Sequence, residues 1–441
     1  IRLAAIRRGP HQVEVCLRSD ETDFQVDHFR ALCCFSGLKS PTTHGQNPAS
    51  TRQVAARPSL RLDPSNDLYG RILFHQGRFC RVSGYRTLKA RECFAEITTD
   101  GRTKWFGPYR PEGFVLGDPG ARDAALHAIQ ACIPHQRILP AAIGRVEILD
   151  TTPGIHFVAA RETSRNGSTF IYNLEIMNQQ GRVVERWSEL TLRAIEPMSA
   201  RASWPAALAV PYFERRLEEL LPERLVSVAM EHNGRGRKAA VRLRSETEQS
   251  ETTFFFAAGR TASSNSAMKA ALGRPARIWR RPDGKPVMWA ARQPWPAGQL
   301  RAAGAGSGGR TVSAAHQDAL TLAIASQGQV ACDLEAVVAR PEPVWHQLLG
   351  NKHCSLAARI SRERSESIDS ASTRIWTVLE CLKKAGLPVG APLVLESAAD
   401  DGWLVLRSGT IGIASCILAV QGMKNDMAIA FALSDMPVAA C

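Results

Sequence analysis

The chain has 441 residues, 44% of them hydrophobic and 22% charged, and a formal net charge of +13. That length implies two or three domains of ordinary globular composition, and no apolar run approaches the ~20 residues of a membrane helix. The basic charge is spread out with no aromatic-interleaved motif, which argues against a nucleic-acid reader and suits polyanionic ligands. The eleven cysteines form no C-x-x-C and no zinc-finger spacing, so they read as reduced thiols of a cytoplasmic protein. Ile1 sits in a strand-like pattern, and the chain reads as part of a longer polypeptide.

Residues 1–195 read as mostly β. Val13 to Leu17 and Gln25 to Phe29 have strand character and flank a polar turn at Ser19–Asp23. Residues 36–66, rich in Pro, Ser, Thr and Asn, read as a loop. Ala121 to Cys132 is the one helical segment here, with Ala124, Ala125, Ala128 and Ile129 on one face. Three strands then follow: His156–Glu162, a turn at Asn166-Gly167, Phe170–Ile176, a turn at Gln180-Gly181, and Val183–Ile195. Residues 196–207 read as a linker, and Tyr212 to Leu221 as an amphipathic helix stopped by Pro222. From there strands and helices alternate to the end. Gly304 to Gly309 formally contains G-x-G-x-x-G, but it follows prolines and precedes a strand-like run, so it reads as a loop.

Three acids carry the chemistry of residues 208–441. Asp333 and Glu335 follow an apolar strand start and share one strand face, which suits a hard cation. Trp376, Glu380 and Lys384 recur at i, i+4 and i+8 along one helix face.

In order, Gly284-Lys285-Pro286, Val312 to His316, Ala331 to Glu335 and Trp376 to Lys384 resemble the motifs of the surfactin-type phosphopantetheinyl transferase family. Gly259-Arg260 to Leu272 resembles an upstream helix of that family. Ala315, Ala331 and Leu379 depart from its usual Ser, Gly and Lys. The resemblance implies transfer of 4′-phosphopantetheine from coenzyme A to an acyl carrier protein serine. It further implies Mg²⁺ on Asp333, Glu335 and Glu380, with Glu380 able to take the serine proton. Lys384 and His316 are expected on phosphate oxygens, and Arg260 and Lys285 toward the nucleotide. The alternative is a catalytically degenerate module that only docks carrier protein.

Upstream, Glu21 to Arg30, Leu68 to Phe79, Asp118 to His127 and Ile138-Leu139-Pro140 resemble the dehydratase region of iterative type I polyketide synthases, the enediyne type especially. That resemblance implies Asp123 and His127 as site residues, in a D-x-x-x-[QH] pattern on the helix. The family's first-half motif H-x-x-x-G-x-x-x-x-P is absent, and neither His28 nor His75 fits it, so this stretch alone is expected to be inactive. The expected fold is multi-domain α+β. A partial double hotdog, mostly antiparallel β with a central helix, spans 1–195. A linker spans 196–207, and a pseudo-twofold α/β transferase domain spans 208–441. The expected partners are a carrier protein, coenzyme A and the rest of a synthase polypeptide, with no nucleic acid and no membrane.

Overall fold

The structure is a computed structural model that describes residues 1–35, 59–99, 105, 117–150, 154–198, 203–221, 226–232, 260–272, 277–280, 286–289, 311–326, 328–388 and 390–434. The chain divides into two compact units, Ile1–Ser50 and Thr51–Cys441. The glycine-rich run at 304–309 and Pro222 lie outside the described residues.

The first unit is an antiparallel sheet of β1 (Arg2–Gly9), β2 (Gln12–Arg18) and β3 (Phe29–Cys34) in sequential order. β2 falls where Val13 to Leu17 indicated. Gln25 to His28 is not a strand, and only Phe29 of that stretch joins β3: Asp23 and Phe24 take left-handed φ of 48° and 58°, which breaks an extended path. Asp27 is instead held by Arg18 and Arg30, each at 2.5 Å.

The second unit begins with a six-stranded antiparallel sheet. Its strands are β4 (Val82–Leu88), β5 (Glu92–Ile97), β6 (Gln136–Ile148), β7 (Phe157–Asn166), β8 (Thr169–Met177) and β9 (Val183–Pro197). Their order is β4-β5-β7-β8-β9-β6. Against it lies α1 (Pro119–His127), which tightens into a 3₁₀ turn over Ala128–Cys132. Ala121, Ala124, Ala125, Ala128 and Ile129 are all buried. Alanines let the helix axis come close to the sheet, and the Tyr85 hydroxyl donates to the Ala128 carbonyl at 2.8 Å. The turn between β7 and β8 contains Gly167 at φ 56°, as the Asn-Gly pair required.

Helix α2 (Ala206–Leu220) starts well before Tyr212 and runs through Pro211, because Leu208, Ala209 and Val210 are buried. The described part of 196–207 is bound into the body: Trp204 is buried, its N–H donates to Ala419 O at 2.8 Å and its carbonyl accepts from Gln421 N at 2.9 Å.

After α2 come β10 (Val226–His232), α3 (Arg260–Leu272), β11 (Arg277–Arg280), β12 (Pro286–Trp289), β13 (Thr311–Gln317), β14 (Leu320–Ser326) and β15 (Gln329–Ala336). Next are α4 (Glu342–Arg364), bent at Gly350, and α5 (Ile368–Lys384). The described chain ends with β16 (Val394–Ala398), β17 (Leu404–Ser408), β18 (Ile411–Leu418) and β19 (Met427–Ser434). One sheet runs β10-β14-β13, a second β15-β19-β18-β17-β16, and β11 pairs with β12. All described sheets in the chain are antiparallel, and helices are few. One hydrophobic core continues from Leu68 and Phe170 of the six-stranded region through Phe213 of α2 to Trp403 and Phe431. Among the described residues no helix is long and apolar enough to cross a membrane.

Candidate active site

Asp123 and His127 lie one turn apart on α1. His75 comes from the loop before a 3₁₀ turn at Gly77–Phe79. Asp123 Oδ2 lies 3.4 Å from His75 Nε2 and 3.5 Å from His127 Nδ1. The two imidazoles are 4.0 Å apart between ring centres and tilted by 33°, and Phe74 stacks on His75 at 4.4 Å. The Tyr69 hydroxyl is 3.0 Å from His127 Nε2, and its oxygen accepts the Val82 N–H at 2.8 Å. Side-chain exposure rises from 5% at His127 through 15% at His75 to 32% at Asp123, so the carboxylate is the most exposed of the three.

The local sequence explains this placement. Asp118 caps α1 by accepting the Gly120 N–H at 2.8 Å, a role its short acceptor side chain fits. A Cβ on Gly120 would lie 2.8 Å from Arg78 O and 2.9 Å from Trp105 Cζ2, so only glycine lets the helix start abut the segment after His75. Arg122 ties the helix to β9 through Glu185 at 2.5 Å. Burial, then the neighbouring His127, hold the His75 pKa below its usual value, with Asp123 pulling the other way. Burial pushes the Tyr69 phenol well up.

Sequence reasoning set His75 aside because it does not fit the H-x-x-x-G-x-x-x-x-P spacing. The structure brings it to Asp123. No local signal marks it, since the two are joined only through the sheet. His28 lies in the first unit, 2.8 Å from Ser19 Oγ.

The acids of the C-terminal region meet along β15 and α5. Asp333 pairs with Ala430 and Glu335 with Ala428 in the ladder to β19. Trp376 favours the charged form of Glu335, and Glu380 acts electrostatically on both strand acids. Lys384 Nζ donates to Asp333 Oδ1 at 2.7 Å and to Cys332 O at 2.9 Å. The helix face Trp376, Glu380, Lys384 therefore lies over the strand face Glu335, Asp333. Asp333 Oδ2 is buried with no hydrogen-bond partner. Burial raises the Asp333 pKa despite Lys384, and burial followed by Asp333 raises that of Glu335. Burial opposes the Lys384 charge, yet Asp333 keeps its pKa above the usual lysine value.

His316 sits on β13 opposite Thr321, with Nδ1 3.0 Å from Thr321 Oγ1. Ser313 on the same strand accepts the Cys332 N–H at 3.2 Å, which links β13 to β15. Arg260 begins α3, and Lys285 lies outside the described residues. Among the described residues, the set of three His, Cys, Asp or Glu side chains whose ligand atoms all fall within 4.8 Å is His75, Asp123 and His127. Asp333, Glu335 and Glu380 are not drawn together that tightly.

Residues 46–202 match the family described as polyketide synthase dehydratase N-terminal domain. Among solved structures, a dehydratase domain of a mycocerosic acid synthase-like polyketide synthase is similar at 17% identity and TM-score 0.31, over 43% of this chain and 66% of that one. A pyran synthase domain from module nine of the sorangicin pathway is similar at 16% and 0.32, over 44% and 69%. The dehydratase domain of PpsC from Mycobacterium tuberculosis is similar at 12% and 0.31, over 43% and 66%. The chain thus spans about two thirds of the length of these domains. A search of curated proteins found no match. The first 45 residues, Glu21 to Arg30 among them, fall outside the family match. Residues 46–202 therefore form a polyketide synthase dehydratase-like domain.

Proposed function

We propose that Asp123, His127 and His75 form an acid–base site that removes water from a 3-hydroxyacyl chain carried as a thioester by an acyl carrier protein, within a polyketide synthase polypeptide. The observation that carries this reading is the Asp123 carboxylate lying within 3.5 Å of two imidazoles, inside the family-matched segment. The elimination breaks the Cα–H and Cβ–O bonds, forms the Cα=Cβ bond and releases water. It needs one group to accept the α-proton and one to protonate the leaving hydroxyl. His75, whose pKa burial lowers, is suited to accept the α-proton, and Asp123, beside it, to pass that proton on to the departing hydroxyl. Tyr69 fixes the His127 ring. The test supplies a carrier-bound 3-hydroxyacyl chain and follows loss of water by mass. Asp123→Asn should slow the reaction by about 10²–10⁴-fold with unchanged far-UV circular dichroism. Parental rates in Asp123→Asn would make the residue structural.

A second reading, a phosphopantetheinyl transferase in residues 208–441, is supported by the α5 face lying over Asp333 and Glu335. The orphaned, buried Asp333 Oδ2 and three mutually repelling carboxylates fit a hard divalent cation. Asp333, Glu335 and Glu380 would hold Mg²⁺, which when bound neutralises pyrophosphate charge. Glu380 would accept the carrier serine proton. Lys384 would exchange Asp333 for a phosphate oxygen of coenzyme A, while Arg260, Lys285 and His316 remain candidates for the nucleotide end. Incubation with apo-carrier protein, coenzyme A and Mg²⁺ should add phosphopantetheine to the carrier. Glu380→Gln should stop this even at saturating Mg²⁺. Parental conversion in both Asp333→Ala and Glu380→Gln would sink the transferase. Carrier binding without conversion would favour a docking module.

A further inference from the structure

We propose that His75, Asp123 and His127 form a site for a divalent transition-metal ion, with Zn²⁺ the ion its donors suit best. Two imidazole nitrogens and one carboxylate oxygen are a borderline donor set that prefers such ions over Mg²⁺ or Ca²⁺.

The spacing is the main argument. A charge-assisted hydrogen bond between imidazole and carboxylate closes to about 2.7–2.9 Å. Here the separations are 3.4 and 3.5 Å, too wide for that bond. A tetrahedral ion with arms of about 2.0–2.2 Å has ligand-to-ligand edges of roughly 3.3–3.6 Å. The Asp123 oxygen and each imidazole nitrogen therefore stand an ion's edge apart.

The surroundings agree. His127 Nδ1, which faces Asp123, is buried and makes no hydrogen bond. The opposite nitrogen of that ring meets the Tyr69 hydroxyl at 3.0 Å, and Val82 N–H anchors the same oxygen. Metal-bound imidazoles are oriented in this way through their remote nitrogen. Phe74, stacked on His75, limits rotation of the second ring. Asp123, the most exposed of the three, leaves a fourth position on the solvent side, which a water would fill.

Metal occupancy would engage the imidazoles and carboxylate that the acid–base reading needs free. That consequence, reversible inhibition of dehydration by Zn²⁺, rests on the proposed function; metal binding itself does not.

The experiment titrates Zn²⁺ by calorimetry into the full chain after chelator stripping. One equivalent should bind at micromolar strength or tighter. His75→Gln and His127→Gln should each weaken it at least about tenfold, and Tyr69→Phe by roughly 10–100-fold. X-ray absorption of the parental Zn²⁺-loaded protein should show imidazole and oxygen scatterers and no sulfur; this readout does not depend on any variant folding. Absence of a stoichiometric site, a sulfur ligand, or parental affinity in both histidine variants would overturn the proposal. Dehydration by the stripped protein, blocked on adding Zn²⁺, would support both ideas. Zinc binding with no dehydration by the stripped protein would support the metal site and remove the acid–base reading. Dehydration without zinc binding would do the reverse.

Discussion

At the scale of single residues, burial is the force that sets the chemistry of both sites. Its effect on His75 has a clear sign. The folded pKa lies below the ordinary ~6.5, so the neutral ring is favoured, and its contribution to stability is present above the unfolded pKa and lost as pH falls through the folded one. Two-dimensional NMR should place the His75 midpoint below ~6.5. Asp123→Asn should lower it further, because Asp123 is the group that raises it. A midpoint that rises in that variant would contradict the geometry. Asp333 runs in the opposite direction. Its pKa is raised even with Lys384 at 2.7 Å. In Lys384→Met the carboxylate would stand buried without its partner and its pKa would climb again. That variant should lose about 1–3 kcal/mol at neutral pH. Its deficit should shrink toward pH ~4, because a raised carboxylate pKa favours the fold below the unfolded value and not above it. Urea melts at several pH values would read this; a deficit that grows toward acid pH would refute it.

At the scale of elements, helix α1 positions Asp123 and His127 of the proposed acid–base site. Its alanine face sets its depth, Asp118 sets its first turn, and Gly120 sets its distance from the segment that carries His75. A methyl group at Gly120 would meet a backbone carbonyl at 2.8 Å, which cannot swing away as a flexible side chain would. Gly120→Ala should therefore cost about 1–3 kcal/mol. It should also cut dehydration more than stability alone explains, because Asp123 is less than one turn on. Parental kinetics at full folding would show that the helix start does not position the carboxylate. Helix α5 plays the matching part in the C-terminal region, with its apolar face on β15 and β19 and its Trp376–Lys384 face over the acids.

At the scale of the whole molecule, α2 joins the six-stranded sheet to the C-terminal sheets. Glu214, 5% exposed, receives Lys89 Nζ at 2.8 Å and the N–H groups of Ala90 and Val228, each at 2.9 Å. Lys89 also donates to Val228 O at 2.7 Å. Beside them the buried Arg215 contacts Glu162, Ala90 O and the Tyr172 hydroxyl. One carboxylate thus satisfies groups from β10 and from the β4–β5 turn, under a core continuous across both regions. Glu214→Gln would remove the negative partner of the buried Lys89 and turn an amide N–H₂ toward one of the two backbone N–H groups, Ala90 or Val228. It should cost about 3–5 kcal/mol and speed hydrogen exchange in β5 and in β10 together. Faster exchange on one side only would show that the two regions unfold independently.

The sequence by itself determined the local pieces. Alternation and an Asn-Gly turn marked β7 and β8, the alanine spacing marked α1, and an i, i+4, i+8 face marked α5. These signals are local because strand and helix periods are short. The same reasoning missed α4, whose pattern is interrupted at Gly350, and began α2 late, at Tyr212, although Leu208, Ala209 and Val210 are buried in a helix that starts at Ala206. It also read 196–207 as a linker, although Trp204 and the start of α2 are packed into the core. Asp123 and His127 were legible because one helical turn joins them. His75 was not, since its approach depends on β4 and β5 folding back under α1. The pairing of Lys384 with Asp333 likewise depends on α5 lying across β15. Contacts between residues far apart in the chain are set by packing, and packing is decided only when the sheets close on one core.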